Sequence, residues 1–156
     1  MKDSIRSSLD DAFQKLAAQK KAQEETAEAK KTRDAAFLEA FLEKQKEVIR
    51  PAMEEMLSEL KRRGLSSKIS MAEERYDSQK RYHGAKIKMA FPTGRSEEPY
   101  LEVLCEKEQG HVRFYESTLG LGSSGHAGSA GEVTLDQITT DLIQEKLLKL
   151  VTEILR

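Results

Sequence analysis

The chain has 156 residues, 38% hydrophobic and 34% charged, with a formal net charge of −1. That length holds one compact domain and an extension, and the high charge points to solvated helix outside the core. No apolar run approaches the ~20 residues that span a bilayer, residues 1–6 have no apolar stretch behind their charges, and one cysteine, Cys105, permits neither an intrachain disulfide nor a thiolate metal cluster. The expectation is a cytoplasmic protein without a membrane anchor.

Charge is unevenly spread. Residues 1–60 balance at −2, residues 61–95 at +7 and residues 96–156 at −6. A basic middle can meet an anionic partner, or it can lie beside the acidic segment within one sheet or dimer.

Residues 1–33 form a charged segment of high helix propensity, with no Gly or Pro before Pro51. Ile5, Leu9, Ala12, Phe13, Leu16 and Ala17 make a short apolar stripe at helical spacing, which fades from Ala18 onward. The segment reads as a helical extension with its own contact at the stripe, or as a partly disordered tail.

Residues 34–64 carry the clearest periodicity. Phe37, Leu38, Phe41, Leu42, Val48, Ile49, Ala52, Met53, Met56, Leu57 and Leu60 make a wide stripe between charges. Leu38, Ile49 and Leu60 are spaced by eleven, as are Phe41 with Ala52 and Leu42 with Met53. That spacing predicts a nearly straight apolar face, better suited to a sheet or bundle than to a two-stranded seam. Pro51 predicts a kink near residues 48–50, and Gly64 predicts the helix end, after Lys61, Arg62 and Arg63. The half before Pro51, with Phe37, Leu38, Phe41 and Leu42, is expected to face another chain. The half after it is expected to pack on the sheet.

The period then changes. Residues 68–72 alternate weakly, and residues 82–91 alternate well, with Ala85, Ile87, Met89 and Phe91 on one face. Residues 100–106 and 111–117 read as a hairpin closed by Gln109-Gly110. Residues 119–131 read by composition as a flexible Gly/Ser-rich loop. Thr139 is the candidate N-cap of a last amphipathic helix, with Leu142, Ile143, Leu147, Leu150, Val151, Ile154 and Leu155 as its apolar face. The predicted fold is α+β: a long N-terminal helix, an antiparallel meander of about four strands, and a C-terminal helix packed on the sheet. The division is residues 1–33 and 34–156.

Chemical motifs are sparse. Gly120, Gly122 and Gly125 match a dinucleotide-loop glycine pattern, but no helix opens at Gly125 and no lysine follows it. His83, His111 and His126 lack metal-ligand spacing. Cys105 shares a strand face with Leu101 and Val103 and reads as half-buried. No catalytic residue, metal or cofactor is expected. Arg62, Arg63, Lys68, Arg81, Lys86 and Lys88, with Tyr76, Tyr82 and His83 among them, are candidate nucleic-acid contacts. Cross-strand pairing with the acidic segment is the competing use of the same charges. The favoured expectation is a non-enzymatic adaptor or assembly subunit, a homodimer through helix pairing, with partner contacts at Ile5, Leu9, Phe13, Leu16, Phe37, Leu38, Phe41 and Leu42. Nucleic-acid binding through residues 61–95 is the alternative.

Overall fold

The computed structural model describes residues 1–119, 121 and 125–156. The chain divides into two units, Met1–Ala36 and Phe37–Arg156. In the first, helix α1 (Asp3–Lys44) begins at once, and residues 1–33 are exposed throughout. The Ser8, Thr26 and Thr32 hydroxyls donate to the carbonyls four residues back, at 2.9, 2.8 and 3.0 Å. These side chains meet their hydrogen-bonding needs within the helix, as such residues often do in helix interiors.

In the second unit α1 passes into one π-turn, Gln45–Ile49, and then into α2 (Arg50–Arg62). Pro51 has no N–H to give to the carbonyl four residues earlier. The helix answers with a wider turn, in which the Arg50 N–H reaches the Gln45 carbonyl. The expected kink is therefore a π-turn, which holds one extra residue without breaking the helix. Gly64, at φ +92°, ends α2. The Gly64 N–H bonds Lys61 O at 3.0 Å and the Leu65 N–H bonds Leu60 O at 2.9 Å, the paired closure of a glycine C-terminus.

Seven strands follow among the described residues: β1 (Lys68–Ala72), β2 (Arg75–Tyr76), β3 (Tyr82–His83), β4 (Lys86–Ala90), β5 (Tyr100–Glu106), β6 (His111–Ser117) and β7 (Ala127–Val133). Five make one antiparallel sheet in the order β1-β4-β5-β6-β7, and β2-β3 is a separate hairpin. The meander was legible, with one strand more than expected. Residues 127–131, read as loop, belong to β7, which pairs with β6 from Ser117↔Ala127 to Val112↔Val133. Main-chain bonds carry that strand, so its small side chains gave no alternating signal. A short 3₁₀ turn, Leu135–Gln137, leads to α3 (Thr140–Ile154), where Thr139 Oγ1 accepts from the Leu142 N–H at 3.1 Å.

One face of the sheet is the core. Ile87, Met89, Phe91, Leu101, Val103, Cys105, Val112 and Phe114 lie there in a cluster with Ala52, Met53 and Leu60 of α2 and Ile143, Leu147 and Leu150 of α3. Alternation along β5 puts Tyr100, Glu102, Leu104 and Glu106 on the other, partly exposed face. Lys146 ties α3 to the sheet: its Nζ donates to Ala130 O at 2.9 Å and lies 4.6 Å from the Phe114 ring centroid.

Candidate interaction surfaces

The N-terminal stripe is exposed. Ile5, Leu9, Phe13 and Leu16 are 50%, 44%, 67% and 59% exposed, four large apolar side chains within twelve positions of one helix. Scattered exposed apolar residues are ordinary, whereas a stripe at helical spacing is the pattern of a contact surface.

The second predicted group separates. Phe41 is completely buried, and Phe37 and Leu38 are partly buried against the same core, while Leu42 is 42% exposed. Phe41 is thus unavailable to another chain unless the core opens. The π-turn supplies the reason. Residues eight apart on a regular helix point ~80° apart, yet Phe41 and Ile49 are both fully buried. The extra residue in the π-turn brings them to one face and turns Leu42 away from Met53, with which the eleven-residue spacing had grouped it.

Five of the six candidate cations of the basic segment form intrachain ion pairs. Arg62 and Arg63 both bond Glu59, at 2.6 and 2.8 Å. Lys68 pairs with Glu98 at 3.0 Å, Arg81 with Asp77 at 3.2 Å and Lys86 with Glu102 at 3.2 Å. Lys88 sits 5.2 Å from the Tyr100 ring centroid. Each of the six candidate nucleic-acid contacts therefore has an intrachain partner: Arg62, Arg63 and Arg81 pair three or four residues away, and Lys68, Lys86 and Lys88 meet residues distant in the chain. Surface pairs of this kind hold little energy, but they weaken the local positive field. Arg75 and Lys80 lie on the β2-β3 hairpin and make no ion pair among the described residues, beside Tyr76, which is 71% exposed.

Every histidine faces a carboxylate. His83 Nε2 lies 2.9 Å from Asp77 Oδ2, His111 Nε2 2.7 Å from Glu106 Oε1, and His126 Nε2 3.1 Å from Glu116 Oε1. Asp77 also accepts the Gln79 and Arg81 N–H groups at 2.8 and 2.9 Å, closing the hairpin tip. The His83 bond, then the Arg81 amide, hold its carboxyl down at about 2. Such a group stabilises the fold above the ordinary carboxylate range and loses that contribution as pH falls toward 2. The Asp77 carboxyl carbon, followed by NMR, is expected to titrate near 2 in the wild type and higher in His83→Ala. Equal midpoints would refute the His83 contribution.

Glu106, His111 and Glu132 place ligand atoms within 4.8 Å of one another. Arg113 already joins the two carboxylates, its Nε 2.7 Å from Glu106 and its Nη2 2.8 Å from Glu132. The guanidinium supplies the positive charge that a cation would bring, so the cluster is a cross-strand ion-pair network. Burial raises the Glu106 pKa and the Arg113 and His111 bonds outweigh it, leaving it lowered. Cys105 is buried, and burial pushes its thiol up to about 12, far from nucleophilic readiness at neutral pH.

Comparison with protein families, with curated proteins and with solved structures returns no match. Gly120 and Gly122 of the glycine pattern lie outside the described residues. Gly125 leads into strand β7, where a dinucleotide loop requires a helix. No helix of the described residues is long and apolar enough to cross a membrane.

One surface escaped the sequence reading. A concavity of about 500 Å³ beside β1 is lined by Leu38, Leu42, Gln45, Met71, Ala72 and neighbouring residues. The weak alternation of residues 68–72 was its only signal, since the lining joins residues some thirty positions apart.

Proposed function

We propose that this chain is a non-catalytic interaction protein, an adaptor or assembly subunit, that associates through its N-terminal helix. The exposed stripe Ile5, Leu9, Phe13 and Leu16 carries the reading. Burying the exposed half of these side chains on two paired helices returns roughly 6–12 kcal/mol. That is comparable with the ~4–15 kcal/mol that association costs, so the expected contact is reversible and concentration-dependent. Leu9→Asp/Phe13→Asp changes only exposed positions and leaves the core intact. Sedimentation equilibrium of the full chain is expected to show assemblies heavier than a monomer, with the double variant lighter at the same concentration. A monomeric wild type, or equal masses, overturns the self-association.

Nucleic-acid binding is the second reading, and the observation favouring it is Arg75 and Lys80, without an ion pair among the described residues, beside exposed Tyr76. Binding to single-stranded oligonucleotide that weakens steeply with salt, and is lost in Arg75→Ala/Lys80→Ala, would support it.

A further inference from the structure

A five-strand open sheet has two edges, and this chain protects them unequally. The β7 edge contains Gly128 and Gly131, its register with β6 shifts between Arg113 and Tyr115, and Glu132 sits on it. Bulges and charges of this kind blunt a sheet edge. The β1 edge has none of them beyond Lys68 at its start. Its register with β4 is regular over all five residues, from Lys68↔Ala90 to Ala72↔Lys86, and it contains no Gly or Pro. Such an edge offers a row of main-chain donors and acceptors ready to pair with another strand.

The surroundings of β1 are also incomplete. Ile69 and Met71 pair with Met89 and Ile87, which are fully buried, so they continue the helix-covered face to the edge. There the face stops with Met71 48% and Leu42 42% exposed beside the concavity. Among the described residues, Gln45 Oε1, on the wall of that concavity, is buried without a hydrogen bond, and so is Ser67 Oγ just before the strand.

We propose that a second copy of this chain pairs antiparallel along the β1 edge, centred on Ser70, joining two sheets into one across a two-fold axis. The sequence of the strand is what selects a second copy. Pairing about Ser70 sets Ile69 opposite the partner's Met71 and Met71 opposite the partner's Ile69, so the apolar face continues through the joint. Lys68 falls opposite the partner's Ala72, and no like charges meet. Ser67, whose Oγ has no hydrogen bond among the described residues, falls opposite the partner's Glu73, which is exposed. Every contact occurs twice, as a two-fold interface requires. This surface is separate from the N-terminal stripe and does not depend on it.

Ser70 is exposed and lies on the axis, so a charge placed there meets its own copy. The test uses full-length chain carrying Leu9→Asp/Phe13→Asp, which removes the stripe contact and keeps the two readings apart. In that background the mass is expected to be that of a dimer, and Ser70→Lys or Ser70→Glu each to halve it. Mixing the Lys and Glu variants is expected to restore the dimer as a mixed pair, which misfolding of either variant would not allow. A monomer before the Ser70 change, or a dimer that survives Ser70→Lys, would overturn the proposal.

Discussion

Phe41→Ala is expected to cost about 3–5 kcal/mol, the range for removing a fully buried phenylalanine. A small domain holds only ~5–15 kcal/mol in total, so the variant should unfold at a much lower urea concentration than the wild type. Phe41 has no exposed surface and sits in the cluster shared by the sheet, α2 and α3. Removing its ring leaves a cavity at a place where helix and sheet are both fixed. The neighbouring change Leu42→Ala is the control, because Leu42 is 42% exposed. It should cost less than ~1 kcal/mol, as surface substitutions do. Were Phe41 a partner-facing residue, the order would reverse: Phe41→Ala would leave stability near wild type and lower the assembled mass. The urea midpoint and the solution mass of both variants decide between these uses of one side chain.

Phe41 and Leu42 show where sequence periodicity stops: the eleven-residue spacing groups Phe41 with Ala52, and both are buried, but spacing alone does not tell whether an apolar face meets its own sheet or another chain. A period of 3.6 residues was sufficient for the helix after Pro51, where Ala52, Met53 and Leu60 are all buried as expected. Before Pro51 the same period grouped Leu42 with Met53, because a π-turn has no signature that hydrophobic spacing can register. Pro51 signalled an irregularity, but not that an inserted residue would rotate the stripe. The strands behaved in the same way. β4, β5 and β6 alternate because one face is buried and the other faces solvent, and those three were legible. β7 is exposed along most of its length and is held by its backbone, so its Gly and Ser content read as loop. The basic segment was legible as charge; Arg62, Arg63 and Arg81 pair three or four residues away, whereas the Lys86 pair follows from strand order. Lys86 meets Glu102 only because β4 lies against β5. The exposed stripe at Ile5–Leu16 was visible from spacing alone, since a solvent-exposed helix face needs no tertiary information to describe.

Gly84→Ala adds one methyl group and is expected to destabilise the fold by about 1–3 kcal/mol, the cost of overpacking a closed site. A Cβ at Gly84 would lie 2.4 Å from the Cys105 carbonyl oxygen and 3.2 Å from Leu104 Cδ1. Carbon and oxygen in favourable contact stay ~3.3–3.6 Å apart. The Leu104 methyl can rotate away, but the Cys105 carbonyl cannot. It belongs to β5, Cys105 itself is buried, and its N–H is bonded to Ala85 O at 2.9 Å. Relief therefore requires lifting residues 84–85 off β5 and stretching that bond. The movement would carry β3 with it, where Tyr82 donates to Glu74 at 2.6 Å and Lys107 lies 5.0 Å from its ring centroid. Gly110→Ala is the comparison, since Gly110 sits at φ +72° with open space around it. There the cost is backbone strain alone, roughly 1–2 kcal/mol, and the effect should stay within the β5-β6 turn. Amide hydrogen exchange separates the two. Gly84→Ala is expected to expose Cys105 and the β2-β3 hairpin together, whereas Gly110→Ala leaves the hairpin protected. Wild-type protection at Cys105 in Gly84→Ala would show that the junction yields without opening, and would remove the close approach as the reason that glycine occupies this position.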